Sequence, residues 1–161
     1  MDVFKERSIS DAKQNLPSII REASRGYETI TSNFKSEKSK KISIISTELL
    51  EEILREGYKF EPVIEEDEKG NGFTIALDAL LIHGEGDTLY AALLDLAENL
   101  LDYSADYLKR IDLYRQIENR RSHYPYLRRI AGCVGIDQVM EVITECHMPL
   151  RQVISKRSQK D

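Results

Sequence analysis

Few residues in this 161-residue sequence have the types and spacing that zinc or cation chemistry needs. Cys133, Cys146 and His147 could in principle ligate zinc, but they lack the paired spacing of a zinc site. We therefore expect both cysteines to be ordinary packing residues. The acidic run EEDE, Glu65 to Glu68, could bind a hard cation, yet a charged run at a hairpin tip is usually only solvated. The sequence predicts no metal and no cofactor.

The common catalytic motifs are absent. The sequence contains no phosphate-binding GxxxxGK[ST], no GxSxG nucleophile motif and no HExxH metalloprotease motif. Its three histidines, His83, His123 and His147, are far apart in the sequence. We predict that the protein is not an enzyme.

The stretch NRRSHYPYLRR, Asn119 to Arg129, places four arginines around Tyr124 and Tyr126. This composition could hold phosphates and stack bases. It also fits a helix start whose tyrosines pack on the core while its arginines face water or acidic side chains. The packing alternative is favoured, because the middle of the chain offers many carboxylates.

Charge is strongly segregated along the chain, although the net charge is only −5. Residues 1–46 hold nine basic and six acidic side chains, residues 47–118 hold six and eighteen, and residues 119–161 hold eight and four. A basic head, an acidic middle and a basic tail favour different partners for different parts of the chain. The sequence has no run of about 20 apolar residues, no secretion-signal pattern and no disulfide framework, so we expect a cytoplasmic protein.

One amphipathic helix is the main element predicted in the basic head of the chain. A short strand, Val3 to Ser8, is expected to precede it, with Ser10 as the N-cap. Pro17 predicts a kink or a loose first turn, and Gly26 suits a left-handed C-terminal cap. Lys13, Arg21 and Arg25 lie off the apolar stripe of this helix, which is formed by Ala12, Leu16, Ile19, Ile20 and Ala23.

Two segments rich in β-branched residues, Tyr27–Ser32 and Lys41–Thr47, predict a strand pair joined by the polar connection Asn33 to Lys41. A short helix, Thr47 to Gly57, follows. The first unit is therefore predicted as a small β-α-β-β-α domain of residues 1–57.

A hairpin is predicted next, because FEPVIEE and GFTIALDALLIHG flank the turn-forming EKGNG. The longest helical pattern starts near Thr88 and is predicted to run to about Glu118. The tail should contain helices, one of them at DQVMEVITE, and should end in a disordered SKRSQKD. The fold class is thus α+β, with a hairpin and long helix at 58–118 and a helical tail at 119–161.

The first unit resembles the N-terminal domain of the prevent-host-death (Phd/YefM) type II antitoxins through the pattern I-S-x-A-K-x-N-L. This resemblance implies dimerisation through the domain and operator binding through its basic surface. One departure is the longer Asn33 to Lys41 loop, which replaces the short Gly-x-Pro turn of the family. The matching pattern is formed by Ile9, Ser10, Ala12, Lys13, Asn15 and Leu16. The DNA-binding residues expected on this basis are Lys5, Arg7, Ser10, Lys13, Arg21 and Arg25.

The second region resembles, more faintly, the HicB-like module of other antitoxins, which carries G-D-T-L-x-x-A-L between a strand and a helix. The Pro-rich turn that precedes the glycine in that module is absent here. The matching residues are Gly86, Asp87, Thr88, Leu89, Ala92 and Leu93.

These resemblances predict a type II antitoxin that binds its operator DNA as a homodimer, represses its own operon, and neutralises a partner toxin through its C-terminal region. The acidic middle suits a basic, ribonuclease-like toxin. Two alternatives stay open: a protein-interaction module that does not bind DNA, and a small-ligand-binding regulator that uses the hairpin and long helix. Binding to its own upstream DNA separates the first from the antitoxin hypothesis, and ligand-induced melting shifts test the second.

Overall fold

The structure, a computed structural model, describes residues 4–32 and 40–158. It contains two compact units, Met1–Ile53 and Leu54–Asp161. Both combine helices with a small sheet, which confirms the predicted α+β class. The predicted division of the chain into the regions 1–57, 58–118 and 119–161 stays a prediction. The connection predicted at Asn33 to Lys41 lies largely outside the described residues.

The first unit, unit 1, builds a three-stranded sheet with helices packed against it. The strand order is β1-β2-β3, with β1 parallel to β2 and β2 antiparallel to β3. This is the predicted order of strands and helices, except that the first helix is divided in two. The elements are β1 Lys5–Ser8, α1 Ile9–Gln14, α2 Leu16–Ala23, β2 Thr29–Ser32, β3 Ile42–Ile44 and the first residues of α3, Thr47–Gly57, which continues into unit 2 from Leu54.

The start of the first helix differs from the prediction. The Ser8 hydroxyl, rather than that of Ser10, accepts the backbone N–H of Asp11 at 3.1 Å, so Ser8 is the N-cap. The helix then breaks at Asn15, and Pro17 lies in the first turn of α2, where a missing N–H costs little. Gly26 has a φ of +92°, as expected for a residue that ends a helix in the left-handed region.

The apolar stripe of these helices is only partly buried. Ile19 is fully buried, and Ala12 and Ala23 are buried as well. Leu16 and Ile20, however, are 45% and 56% exposed. The stripe therefore contributes to the core of unit 1 only in part, since Ile19 and Ala23 occupy the buried side of α2 while Leu16 and Ile20 lie on its exposed side.

The second unit, unit 2, packs a helical layer onto a three-stranded antiparallel sheet of order β4-β5-β6. Its core is centred on α4, which packs on β6 on one side and on α7, α8 and α9 on the other. The elements are β4 Val63–Glu66, β5 Phe73–Leu77, β6 Ile82–Gly86, α4 Leu89–Lys109, α5 Ile111–Tyr114, α6 Glu118–Arg121, α7 Tyr124–Ala131, α8 Ile136–Ile143 and α9 Met148–Ser158.

The predicted hairpin contains a third strand. A 3-10 turn, Asp78–Leu80, reverses the chain after β5 and leads into β6. Leu80 is buried by this turn, whereas Leu81 adopts a left-handed φ of 54° and is exposed. The segment predicted as the second strand of the hairpin therefore forms two antiparallel strands, β5 and β6. The turn between them contains no glycine, proline or asparagine and is stabilised by the burial of Leu80.

The long helix ends at Lys109, earlier than the predicted Glu118. At the end of α4 the Arg110 guanidinium binds the Asp106 carboxylate, and the Tyr114 hydroxyl donates to the same carboxylate at 2.5 Å. The Tyr114 ring stacks on Tyr107, with ring centroids 4.8 Å apart. The two Tyr114 contacts, seven and eight residues from their partners, are only possible if the chain folds back after Lys109, so they end the helix.

The predicted disorder of SKRSQKD is wrong for its first residues, since α9 continues to Ser158. Leu150 is buried and anchors α9 to the core. The Arg157 guanidinium lies 4.1 Å from the centre of the Tyr90 ring on α4. These contacts stabilise a helix that its composition alone does not predict.

Two glycines allow α4 to lie directly on β6. A Cβ at Gly84 would lie 2.5 Å from the Ala92 carbonyl oxygen, and a Cβ at Gly86 would lie 2.5 Å from the Ala92 backbone nitrogen. Both distances are well inside van der Waals contact with backbone atoms that cannot move independently. The Thr88 hydroxyl caps α4 by accepting the Ala91 N–H at 3.1 Å, so the chain turns at once from β6 into the helix.

We predict that Gly84→Ala destabilises the protein by at least about 2 kcal/mol, because the added methyl forces α4 away from β6. The measurement is chemical denaturation monitored by circular dichroism. Gly57→Ala is the matched control, since a Cβ at Gly57 would meet no atom within 4 Å and should change stability little. Equal stability of the two variants would contradict this account of the packing.

Candidate functional site

Two of the six expected DNA-binding residues lie on β1 and are already paired with carboxylates. The Lys5 ammonium lies 3.2 Å from the Glu22 carboxylate of α2. The Arg7 guanidinium donates to the Asp11 carboxylate of α1 at 2.7 Å. Lys5 and Arg7 are two residues apart on a strand, so both point to the side where α1 and α2 pack. Their positive charge is therefore partly neutralised within unit 1.

Asp11 is a positioning residue that the sequence pattern did not single out. One of its carboxylate oxygens accepts from Arg7, and the other accepts from the Asn15 side-chain amide at 2.9 Å. The same amide also donates to the Asp11 backbone carbonyl at 3.0 Å. Asp11 thus ties β1 to the break between α1 and α2, and the spacing of four between Asp11 and Asn15 was the available signal.

The other four expected residues, Ser10, Lys13, Arg21 and Arg25, are all exposed. Lys13 lies in the last turn of α1 and Arg21 in the last turn of α2. Arg25 follows α2, and its guanidinium lies 5.5 Å from the centre of the Tyr27 ring. Within residues 4–32 and 40–158, no carboxylate forms an ion pair with Lys13, Arg21 or Arg25. These three cations are available to an external anion such as a phosphate.

Unit 1 also leaves seven of its described large apolar side chains more than a third exposed. Among its described residues only Ala12, Ile19 and Ala23 are buried apolar side chains, whereas unit 2 buries seventeen. We use the name apolar surface for the large apolar side chains of unit 1 that are more than a third exposed: Phe4, Ile9, Leu16, Ile20, Tyr27, Ile42 and Ile53.

Unit 2 has a strongly acidic depression at the β4–β5 turn, with a volume of about 630 Å³. No lysine or arginine lines it, and within the described ranges none forms an ion pair with its carboxylates. Apart from His83, whose Nε2 lies 3.7 Å from a Glu85 carboxylate oxygen, these carboxylates have no ion-pair partner among the described residues. We call these side chains the acidic rim: Glu65, Glu66, Asp67, Glu68, Glu85 and Asp87.

The arginine and tyrosine stretch NRRSHYPYLRR packs inside unit 2, as the packing alternative proposed. The Tyr126 ring meets the rings of Tyr58 and Phe60 edge to face, each with centroids 5.5 Å apart. Arg129 forms two hydrogen bonds with the Glu145 carboxylate, at 2.8 and 3.0 Å. Its carboxylate partner lies in the tail rather than in the acidic middle of the chain. Tyr126 and Arg129 are thus engaged in structural contacts.

A buried histidine lies at the start of α7. The His123 Nδ1 is 2.7 Å from the Tyr103 hydroxyl, whose oxygen also accepts from the Arg120 guanidinium at 3.2 Å. Burial lowers the pKa of His123, and the positive charge of Arg120 lowers it further. A neutral His123 can accept a hydrogen bond from the Tyr103 hydroxyl, whose oxygen then accepts a hydrogen bond from Arg120.

The described residues contain no group of three histidine, cysteine or acidic side chains that could hold a metal ion. Cys133 is half-buried and its thiol lies 3.6 Å from the Arg129 carbonyl, while Cys146 is exposed. Burial raises the pKa of the Cys133 thiol, which makes it a poor nucleophile. None of the helices in the described part of the chain has the length and apolarity needed to cross a bilayer.

Comparison with known proteins gives two matches. The family model PHD_like, described as "Antitoxin of toxin-antitoxin, RelE / RelB, TA system", matches residues 1–146. A crystal structure at 1.80 Å resolution, of the antitoxin part of a candidate toxin/antitoxin system from Syntrophomonas wolfei subsp. wolfei, has a similar fold. The TM-score is 0.73 and the identity 19%, over 86% of this chain and 95% of that chain. No curated protein matches the sequence significantly.

We predict that acidification from pH 7 to about 5.5 lowers the free energy of unfolding, and that His123→Gln reduces this loss. The pKa of His123 lies below its ordinary value in the folded chain. The unfolded chain therefore takes up a proton first as the pH falls through about 6.5, and the folded state loses stability. Denaturant titrations at several pH values measure the slope of the free energy of unfolding against pH.

The control is His83→Gln, which changes an exposed histidine on β6 and leaves His123 in place. This variant should retain the acid-induced loss. An unchanged slope in the His123 variant would mean that His123 is protonated in the folded protein at these pH values.

Proposed function

Since this chain belongs to the PHD_like family, the antitoxins of toxin–antitoxin systems, we propose that it binds operator DNA as a homodimer through unit 1 and neutralises a toxin through the region after Gly57. The Phd/YefM-like character of residues 1–57 and the HicB-like character of residues 58–118 are part of this proposal. The observation that carries it is the apolar surface of unit 1, which lies on the same unit as three unpaired cations.

Dimerisation is supported by the small core of unit 1. Three buried apolar side chains, two of them alanines, are too few to stabilise a domain of this size. Leu16 and Ile20 are one helical turn apart on α2, so they form a continuous apolar strip. Covering such side chains contributes about 1.5–3 kcal/mol each when burial is complete. A second copy of unit 1 offers the same strip, as a symmetric interface requires.

Operator binding is supported by the cations that remain unpaired. A two-fold dimer carries two copies of Lys13, Arg21 and Arg25, and therefore offers two equivalent basic surfaces to the two half-sites of an operator. Lys5 and Arg7 contribute less in the free protein, because Glu22 and Asp11 already neutralise them. Such contacts to phosphates fix the protein on the duplex but carry no base specificity of their own.

Toxin binding after Gly57 is supported by the acidic middle of the chain. Residues 58–118 hold fourteen acidic and five basic side chains, and no lysine or arginine in the described ranges forms an ion pair with the acidic rim. A surface of this kind attracts a basic protein and accelerates its association. The same charge disfavours DNA contact by unit 2, so the two partners use different units.

Our first prediction here is that Ile20→Glu disrupts the dimer, because it places a charge in the apolar strip of α2. Light scattering should give the dimer mass for the unmodified protein at micromolar concentration and a smaller mass for the variant. Val134→Glu is the control, since Val134 lies in unit 2 and is 89% exposed. An Ile20→Glu protein that stays dimeric would place the interface elsewhere.

Our second prediction is that Lys13→Glu weakens operator binding without unfolding the protein. The plot of log affinity against log salt concentration should become less steep by roughly 0.9 for each phosphate that a subunit no longer neutralises. The control is Lys69→Glu, which makes the same charge change at the exposed β4–β5 turn. Superimposable salt plots for the unmodified and Lys13→Glu proteins would show that Lys13 does not face DNA.

Our third prediction concerns the toxin. The full-length chain should bind the basic product of the neighbouring gene, and the association rate should fall between about 0.05 and 0.5 M salt, because screening weakens long-range attraction. Stopped-flow fluorescence measures the rate. Lys13→Glu should bind toxin as the unmodified protein does. A rate that is independent of salt would contradict the role of the acidic middle.

A further inference from the structure

One outer edge of the unit 2 sheet is closed by side chains of α4. The Asp95 carboxylate accepts the backbone N–H of Glu85 at 2.9 Å. The Asn99 amide donates to the His83 backbone carbonyl at 3.2 Å. Both backbone groups belong to β6 and point away from β5. The edge of β6 is thus already hydrogen-bonded and cannot readily pair with another strand.

The opposite edge, on β4, is open. In an antiparallel sheet, successive residues direct their backbone groups to alternate sides. Because His83 and Glu85 point away from β5, their partners on β5 direct their backbone groups toward β4. The N–H and C=O groups of Ile64 and Glu66 must then point outward, and β4 pairs with β5 alone among the described strands.

The two ends of β4 meet depressions of different chemistry. Beyond Glu66 lies the depression of about 630 Å³ that the acidic rim encloses. Beside Val63 lies a more apolar cavity of about 380 Å³, whose walls include Phe60, Leu80 and Tyr126. The four residues of β4 separate them by roughly 10 Å at about 3.3 Å per residue. An added strand of five or six residues would reach both.

We propose that the β4 edge binds an extended basic segment of the toxin as an additional strand, an inference that rests on the proposed function. The backbone of the segment pairs with Ile64 and Glu66, one apolar side chain enters the cavity beside Val63, and lysine or arginine side chains reach the acidic rim. Strand addition of this kind takes affinity from backbone hydrogen bonds and specificity from such pockets.

Charge identifies the occupant. The acidic rim matches lysine and arginine side chains, and its carboxylates do not form a metal-ligating group within the described residues. A second copy of this chain would bring another acidic rim to the same edge, and like charges that meet across paired strands are destabilising. A basic partner neutralises the rim instead.

The first test is amide hydrogen exchange by NMR on the full-length protein, free and saturated with the copurified toxin. The outward amides of Ile64 and Glu66 should exchange rapidly in the free protein and become protected at least about tenfold in the complex. The Glu85 amide is the internal reference, since it already donates to Asp95. Protection that appears in the free protein and grows with its concentration would identify a second copy as the occupant and overturn the proposal.

The second test compares Glu66→Pro with Glu66→Gln. Both remove the charge, but only proline removes the outward N–H, and at this position it leaves the bonds to β5 intact. Toxin affinity should fall at least about tenfold further for Glu66→Pro than for Glu66→Gln. Circular dichroism melting reports whether the proline variant folds. If that variant does not fold, the exchange of the Ile64 and Glu66 amides in the unmodified protein decides whether the β4 edge binds the toxin.

The two proposals fail in different ways. If no toxin binds the unmodified chain, toxin neutralisation itself is wrong. If toxin binds with unchanged Ile64 and Glu66 amides, or equally to both Glu66 variants, toxin neutralisation stands and the β4 edge is not its docking strand.

Discussion

The shortage of buried apolar side chains in unit 1 is the constraint on which the rest of this antitoxin depends. A sheet of three short strands and two short helices buries one isoleucine and two alanines, and leaves Leu16 and Ile20 exposed. A domain built in this way requires a partner surface to be stable. In the dimer that we propose, stability and operator binding are coupled, because the association that covers the apolar surface also doubles the set of cations offered to phosphates.

Unit 2, in contrast, has a large buried core of its own. Gly84 and Gly86 bring α4 onto β6, and Asp95 and Asn99 use this closeness to seal the β6 edge. One consequence is an asymmetric sheet, in which β4 alone has an open edge among the described strands. The candidate phosphate-binding cations Lys13, Arg21 and Arg25 belong to unit 1, and the acidic rim belongs to unit 2.

Local signals in the sequence predicted some features correctly. Thr47–Gly57 forms a helix as expected, and Lys13 is exposed as its position off the apolar stripe indicated. Features that depend on distant parts of the chain were missed. The pairing of Lys5 with Glu22 requires β1 to lie beside α2, and the end of α4 requires Tyr114 to stack on Tyr107. The turn before β6 was missed because an apolar run without glycine or proline gives no local signal.

The most direct measurement of the central claim is the thermal unfolding midpoint of the unmodified protein over about two orders of magnitude in concentration. If a second copy covers the apolar surface of unit 1, dimerisation stabilises the folded state by mass action, and the midpoint rises with concentration. A midpoint that is the same at every concentration would show that unit 1 is stable without a partner, and would contradict the account.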